Sequence, residues 1–344
     1  MNESGNSTIN EEHLIKIRVF ASVTSFVLLA FFNLVIDYTI LSEDRLRSQA
    51  RFVLLFHLLV SGLIYFGLSS TFYLLIYLEV AMSASCCLIL LMFLMMSGST
   101  ILLTLTVMAV DRYFAICHPL KYSSFCTPCK IWILSSLTWV VSAVIPLILV
   151  SQHMRKDPIQ GFRSCSISNF RSSYSMKHTS KILLICICTV LILFSYYKIL
   201  AEGKRIGVLN RRNKRARSTI LMHGVQLAVY IIPTFINFIL QKVALAKKLD
   251  GSTKTLFEVL NFAFFSLAQC ISPVIYGLRK EELWELTSHK FPCFLWDFKG
   301  TLELVRTTLL LPTKSNPPAA VQTCPEVLTL VSEETQEHAP SSAT

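Results

Sequence analysis

The sequence predicts an all-α membrane protein, a bundle of seven transmembrane helices followed by a short amphipathic juxtamembrane helix. Three observations predict it. The 344 residues are 53% hydrophobic and only 15% charged, whereas a soluble domain carries far more charge. Seven apolar stretches lie near residues 17–41, 52–77, 83–116, 130–151, 179–201, 216–241 and 255–278. Each is long enough to cross a hydrocarbon core of ~30 Å, which takes about 20 helical residues. The stretches are continuous and rich in Leu and Ile, without the period-two alternation of barrel strands. Only helices or closed barrels satisfy the backbone in lipid, so residues 17–278 form one seven-helix domain.

Residues 1–16 form a polar leader with Glu3, Glu11 and Glu12, the wrong sign for a signal-peptide n-region. The first helix then acts as its own insertion signal. Asn2-Glu3-Ser4 and Asn6-Ser7-Thr8 are glycosylation sequons, with meaning only if this end is extracellular. Basic residues stand in loops on both sides. The cluster Lys204, Arg205, Arg211, Arg212, Lys214, Arg215 and Arg217 before the sixth stretch is the densest. It tips the positive-inside rule towards an N-terminus outside. The net charge of +11 belongs to these loops, and no soluble domain is left to bind nucleic acid. Residues 279–298 place Leu283, Trp284, Leu286, Phe291, Phe294 and Trp296 among charges, which suits a helix lying on the membrane surface. Cys293 there is a palmitoylation candidate beside the plainer reading of an interfacial thiol. Residues 299–344 are poor in aromatics and rich in Pro, Ser, Thr and Glu, the composition of a disordered cytoplasmic tail.

The most informative string is Met108 to Tyr122, MAVDRYFAICHPLKY. It sets Asp111, Arg112 and Tyr113, then a His-Pro turn, where the third stretch leaves the membrane. Ionisable residues at that depth are costly and mark function by default. Interfacial anchors that snorkel to headgroups explain lone boundary charges, but not the whole string.

Of eleven cysteines, most lie in apolar stretches and behave as small hydrophobes. Cys87, at the start of the third stretch, and Cys165, in the long loop 152–178, stand on the oxidising side, where a disulfide is allowed. Cys86 is a rival partner. Cys126-Thr-Pro-Cys129 has a metal-like spacing but no second ligand pair, so no metal site and no cofactor are expected.

Taken together, these motifs resemble the rhodopsin-like (class A) G-protein-coupled receptors, and within them the odorant receptors, fish-type or a close orphan relative. The likeness runs from Ile17 to Phe298. It rests on Asn33 in the first helix, Asp111-Arg112-Tyr113, and Cys87 standing 25 residues before Arg112. The continuation Ala115-Ile116-Cys117 and Pro119-Leu120-Lys121-Tyr122 is odorant-receptor-like, as is Ser195-Tyr196. Further on come Ser218-Thr219 with His223, Pro233, and Ser272-Pro273-Val274-Ile275-Tyr276. The resemblance implies a Cys87–Cys165 disulfide, a multi-pass place in the cell membrane, a heterotrimeric G protein as partner and a small-molecule odorant as ligand. It also implies a two-state switch built from Asp111, Arg112, Tyr113, Tyr196, His223, Pro233, Pro273 and Tyr276. In it Asp111 holds Arg112 at rest, and the sixth helix swings out from Pro233 on activation. The basic cluster before that helix suits anionic membrane lipid.

The chain also departs from the family. Gly62 stands where an aspartate is usual, Ile101 where a small polar residue is usual, Ser272 where an Asn is usual, and Ile231 where a Trp is usual. A core sodium site needs oxygen ligands and negative charge, and none is predicted. The family's ligand cavity would be lined by Leu94, Met95, Gly98 and Ser99 on the third helix, Phe235 and Phe238 on the sixth, and Glu258, Phe262 and Phe265 on the seventh. That lining is mostly apolar, as for a small organic ligand; plain helix packing gives the same pattern. Leu94 stands where amine receptors keep an acid. A transporter would show inverted repeats and broken helices, and no nucleophile motif points to an enzyme.

Overall fold

The computed structural model describes residues 3–80, 82–125, 127–156, 174–205, 281–291 and scattered positions between 224 and 269. Among the described residues there is no strand. The helices are α1 (Glu3–Ser42), α2 (Asp44–Arg47), α3 (Ala50–Tyr77), α4 (Ala84–Cys117), α5 (Pro119–Phe125), α6 (Pro128–Lys156), α7 (Tyr174–Arg205) and α8 (Glu281–Lys290). Five of them, α1, α3, α4, α6 and α7, are long and apolar enough to cross a membrane. The described positions of the sixth and seventh apolar stretches are helical as well.

Two local differences from the sequence reading have simple causes. Helix α1 starts at Glu3 rather than near residue 17: the polar leader holds no proline to stop it, and an acid suits its N-terminus. The expected His-Pro turn is instead a helix break. His118 leaves α4 with φ −137° and ψ 58°, and Pro119 opens α5 at the one helical position where its missing N–H costs nothing.

Capping follows the same local rules. Ser83 accepts a hydrogen bond from the Cys86 N–H at 3.3 Å, the usual N-cap arrangement. At the far end of α3, Glu79 takes a left-handed φ of 51°. The Val80 N–H then reaches the Leu75 carbonyl and the Glu79 N–H that of Ile76, a Schellman cap completed without glycine.

Helix α1 packs along α3, α3 along α4, and α4 against both α6 and α7. The α1 stripe Leu29, Asn33, Ile36, Asp37 and Ile40 is buried, the i, i+4, i+7 pattern of one helix face. In lipid the drive for this packing is close contact and interhelical hydrogen bonds, since tails are as apolar as leucine. Asn33 Nδ2 donates to the Leu59 carbonyl at 3.1 Å and ties α1 to α3. The Trp139 indole donates to His57 Nδ1 at 3.1 Å and ties α6 to α3. An indole N–H can only donate, so Nδ1 accepts and the His57 proton sits on Nε2. The hydroxyls of Thr100 and Ser142 share a 2.6 Å hydrogen bond that ties α4 to α6.

Candidate functional site

Helix periodicity sets the two ionisable residues of α4 apart. Ile101, Leu105 and Met108 are buried on one face, and Asp111 continues it one turn on. Its side chain is only 4% exposed, while Arg112, a third of a turn further round, is 28% exposed. Arg112 Nε lies 3.8 Å from Asp111 Oδ2, close enough for charge attraction but too long for a hydrogen bond. The firm contact is on the other oxygen. The Tyr122 hydroxyl donates to Asp111 Oδ1 at 2.8 Å. Tyr122 reaches it because the break at His118 folds α5 back beneath α4. The same break brings His118 Nε2 to 3.2 Å from the Tyr113 hydroxyl.

Helix α7 joins this end of the bundle. Its buried stripe Cys188, Ile192, Ser195 and Ile199 faces inward. The Cys117 thiol donates to the Lys198 carbonyl at 3.8 Å, and the Tyr113 and Phe194 rings stand 6.3 Å apart. Tyr196 is half-buried on the same helix. Pro233 is buried in the sixth stretch. Asp111, Arg112, Tyr113 and Tyr196 thus share one end of the bundle. His223, Pro273 and Tyr276 lie outside the described residues.

Mid-bundle, Gly62 on α3 faces Gln269 of the seventh stretch. A Cβ on Gly62 would stand 3.1 Å from Gln269 Oε1. A neutral amide therefore fills the space beside a residue that has no side chain; Ile101 on α4 is also buried. Among the described residues no group of three or more metal-ligating side chains forms.

At the Cys87 end the chemistry is apolar. Phe66 of α3 is fully buried, stacked on Phe265 at 5.9 Å and tilted against Phe262 at 6.2 Å. Tyr65 meets Phe265 edge-on at 5.6 Å, and Tyr73 meets Phe262 at 6.2 Å. The Arg18 guanidinium of α1 sits 5.9 Å over the Tyr73 ring. Gly98 of α4 lets the Tyr65 ring approach, 3.4 Å from where its Cβ would be. Leu94, Met95 and Ser99 are half-buried along the same helix. Of the residues expected to line a cavity, Gly98, Phe262 and Phe265 are therefore brought together, through α3. Phe235 is 48% exposed. Phe238 and Glu258 lie outside the described residues. Cys87 is disulfide-bonded and Cys86 is a free thiol; Cys165 lies outside the described residues.

Sequence reasoning missed Tyr122, Tyr65, Phe66, Tyr73 and Gln269. Tyr122 stood inside the informative string without a partner to suggest its role. The α3 aromatics carried no signal beyond helical spacing.

A model of the seven-transmembrane receptors of the rhodopsin family matches residues 32–276. The chain belongs to that family. As a rhodopsin-family receptor it has a seven-helix bundle, with five spans in the described helices. It is similar to the probable G-protein coupled receptor 148 of Homo sapiens, 24% identical over 271 residues that make up 71% of this chain and 74% of the relative. It is 25% identical to odorant receptor 131-2 of Danio rerio, over 56% of this chain and 61% of that one. Olfactory receptor 4M1 of Homo sapiens is 28% identical over 81% of this chain and 90% of its own length.

Proposed function

We propose that this receptor binds a small organic odorant at the Cys87 end of the bundle and activates a heterotrimeric G protein at the Arg112 end. The observation that carries the proposal is Asp111-Arg112-Tyr113 closing α4, with Asp111 buried and held by Tyr122, in a chain whose relatives include odorant receptors. An agonist shifts a two-state population by binding one state better. At rest Asp111 keeps Arg112 at the bundle edge. On activation the sixth helix swings from Pro233, Arg112 extends into the opened space, and Tyr196 and Tyr276 support it, with His223 and Pro273 in the moving segments.

The ligand surface runs over Leu94, Met95, Gly98, Ser99, Phe235, Phe238, Glu258, Phe262 and Phe265. Tyr65 and Tyr73 extend it towards α3. The apolar lining suits a volatile or weakly polar molecule. The Cys87 end faces outside, with a Cys87–Cys165 disulfide over its mouth and glycans on Asn2 and Asn6. Residues 279–298 lie on the inner leaflet with Cys293 lipidated, and 299–344 form the cytoplasmic tail. Membrane lipid meets the basic segment before the sixth helix.

A second reading is a non-olfactory receptor of the same fold. The likeness to probable G-protein coupled receptor 148 over 71% of the chain favours it. Transcripts in olfactory neurons support the first reading, and their absence there supports the second. The function itself is tested by cyclic-AMP signalling in cells under an odorant panel, with Arg112→Ala at matched surface level beside the parent. A response that the variant loses is the expected result. A response unchanged by the variant would overturn the Arg112 switch.

A further inference from the structure

Glycine in the middle of a helix is unfavourable, and it persists where a neighbour needs the space of its missing side chain. Gly224 is such a residue. It is helical at the start of the described part of the sixth stretch, and its φ is not positive, so the backbone itself does not call for glycine. A Cβ built on Gly224 would fall on the hydroxyl, Cζ and Cε2 of Tyr196. The other described glycines with near neighbours are unlike it. Gly62, Gly67 and Gly98 would place a Cβ 3.1 to 3.4 Å from a side-chain atom, tight but within reach of a small adjustment. At Gly224 the phenol already occupies the position of the side chain.

We propose that Gly224 is a positioning residue for Tyr196: it is the seat that holds the phenol of α7 against the sixth helix in the resting receptor. This rests on the two-state reading above, in which Tyr196 turns inward and the sixth helix moves out. A side chain at 224 can be relieved in two ways. Tyr196 leaves its seat, or the sixth helix moves away from α7. Both are movements that activation uses, so filling the seat favours the active state. Tyr197, the next residue, is 68% exposed, whereas Tyr196 meets the place of a Gly224 side chain.

The test is a cycle of Gly224→Ala, Tyr196→Ala and the double variant in the full chain. Two readouts are taken: ligand-free cyclic-AMP signalling at matched surface level, and the thermal midpoint of the detergent-solubilised receptor. Gly224→Ala is expected to raise ligand-free signalling by about five-fold, the low end of ordinary coupling between sites, and to lower the midpoint. In the Tyr196→Ala background the same substitution should leave the midpoint unchanged. If Gly224→Ala fails to reach the surface, the double variant is expected to return there. A midpoint shift of equal size with Tyr196 present or removed overturns the seat, as does a double variant that stays inside the cell. Coupled midpoints with flat ligand-free signalling, in a parent that answers ligand, overturn the positioning role. A parent that never signals, with midpoints still coupled, overturns the proposed function and upholds the seat.

Discussion

The two ends of the bundle are built from different chemistry. The Arg112 end is assembled from directional contacts: Tyr122 to Asp111 at 2.8 Å, Tyr113 to His118 at 3.2 Å, and the loose Asp111–Arg112 pair at 3.8 Å. The Cys87 end is assembled from rings, with Phe66 enclosed by Phe262, Phe265 and their neighbours. Directional contacts break and re-form between a few discrete arrangements, which suits a switch. Apolar contacts are non-directional, which suits a surface that accepts many shapes. A substitution at the ring end should therefore change stability and ligand range. A substitution at the polar end should change the balance of states.

The largest effect expected at the ring end is Phe66→Ala. Phe66 is fully buried, and removing a buried phenyl costs about 3–5 kcal/mol. Thermal unfolding should show a large fall in the midpoint. A midpoint within a degree of the parent would mean that the aromatic cluster does not hold α3 to the seventh stretch. At the polar end, Tyr122→Phe keeps the ring and removes one hydrogen bond to a carboxylate, worth about 1.5–3 kcal/mol. Ligand-free signalling should rise several-fold at matched surface level. Unchanged signalling with a lowered midpoint would make Tyr122 a packing residue and weaken the contrast between the ends.

Asp37 sharpens the comparison from between the two ends. It is 6% exposed in a membrane span, and its Oδ1 has no hydrogen-bond partner among the described residues. A buried oxygen left without a hydrogen bond carries a desolvation cost of about 1–3 kcal/mol, which an apolar side chain would remove. Asp37→Leu should raise the midpoint and leave ligand-free signalling alone. A fall would show that the carboxyl is used. The smallest change is expected from Ser142→Ala, which removes the bond to Thr100. Interhelical hydrogen bonds of this kind average about 0.6 kcal/mol, so a midpoint shift of more than a few degrees would contradict the assignment.

The membrane spans were readable because lipid allows so few structures. Residues 52–77 became Ala50–Tyr77 and 83–116 became Ala84–Cys117, with ends blurred only by capping. The Asp-Arg-Tyr end stood out as a place because a whole string, Met108 to Tyr122, rather than a lone boundary charge, closes the span. What lay beyond the sequence was contact between distant residues. Trp139 and His57 are 82 positions apart, and helical periodicity places each on a face without naming its partner. The pairing of Gly62 with Gln269, and of Gly224 with Tyr196, is a matter of side-chain space, which no motif records. The ring end was hardest, since a stripe of aromatics at helical spacing looks the same in a ligand site and in a core. Asp37 could have been found, because an acid inside an apolar stretch is itself a signal.

The central claim is that α4 ends in a switch that drives a G protein. Nucleotide exchange on a purified heterotrimeric G protein tests it most directly. The receptor and its Arg112→Ala variant would be compared in lipid nanodiscs, each with the odorant panel and at equal helical content. The account predicts exchange above the receptor-free rate for the parent and a return to that rate for the variant. Equal exchange by both would contradict it.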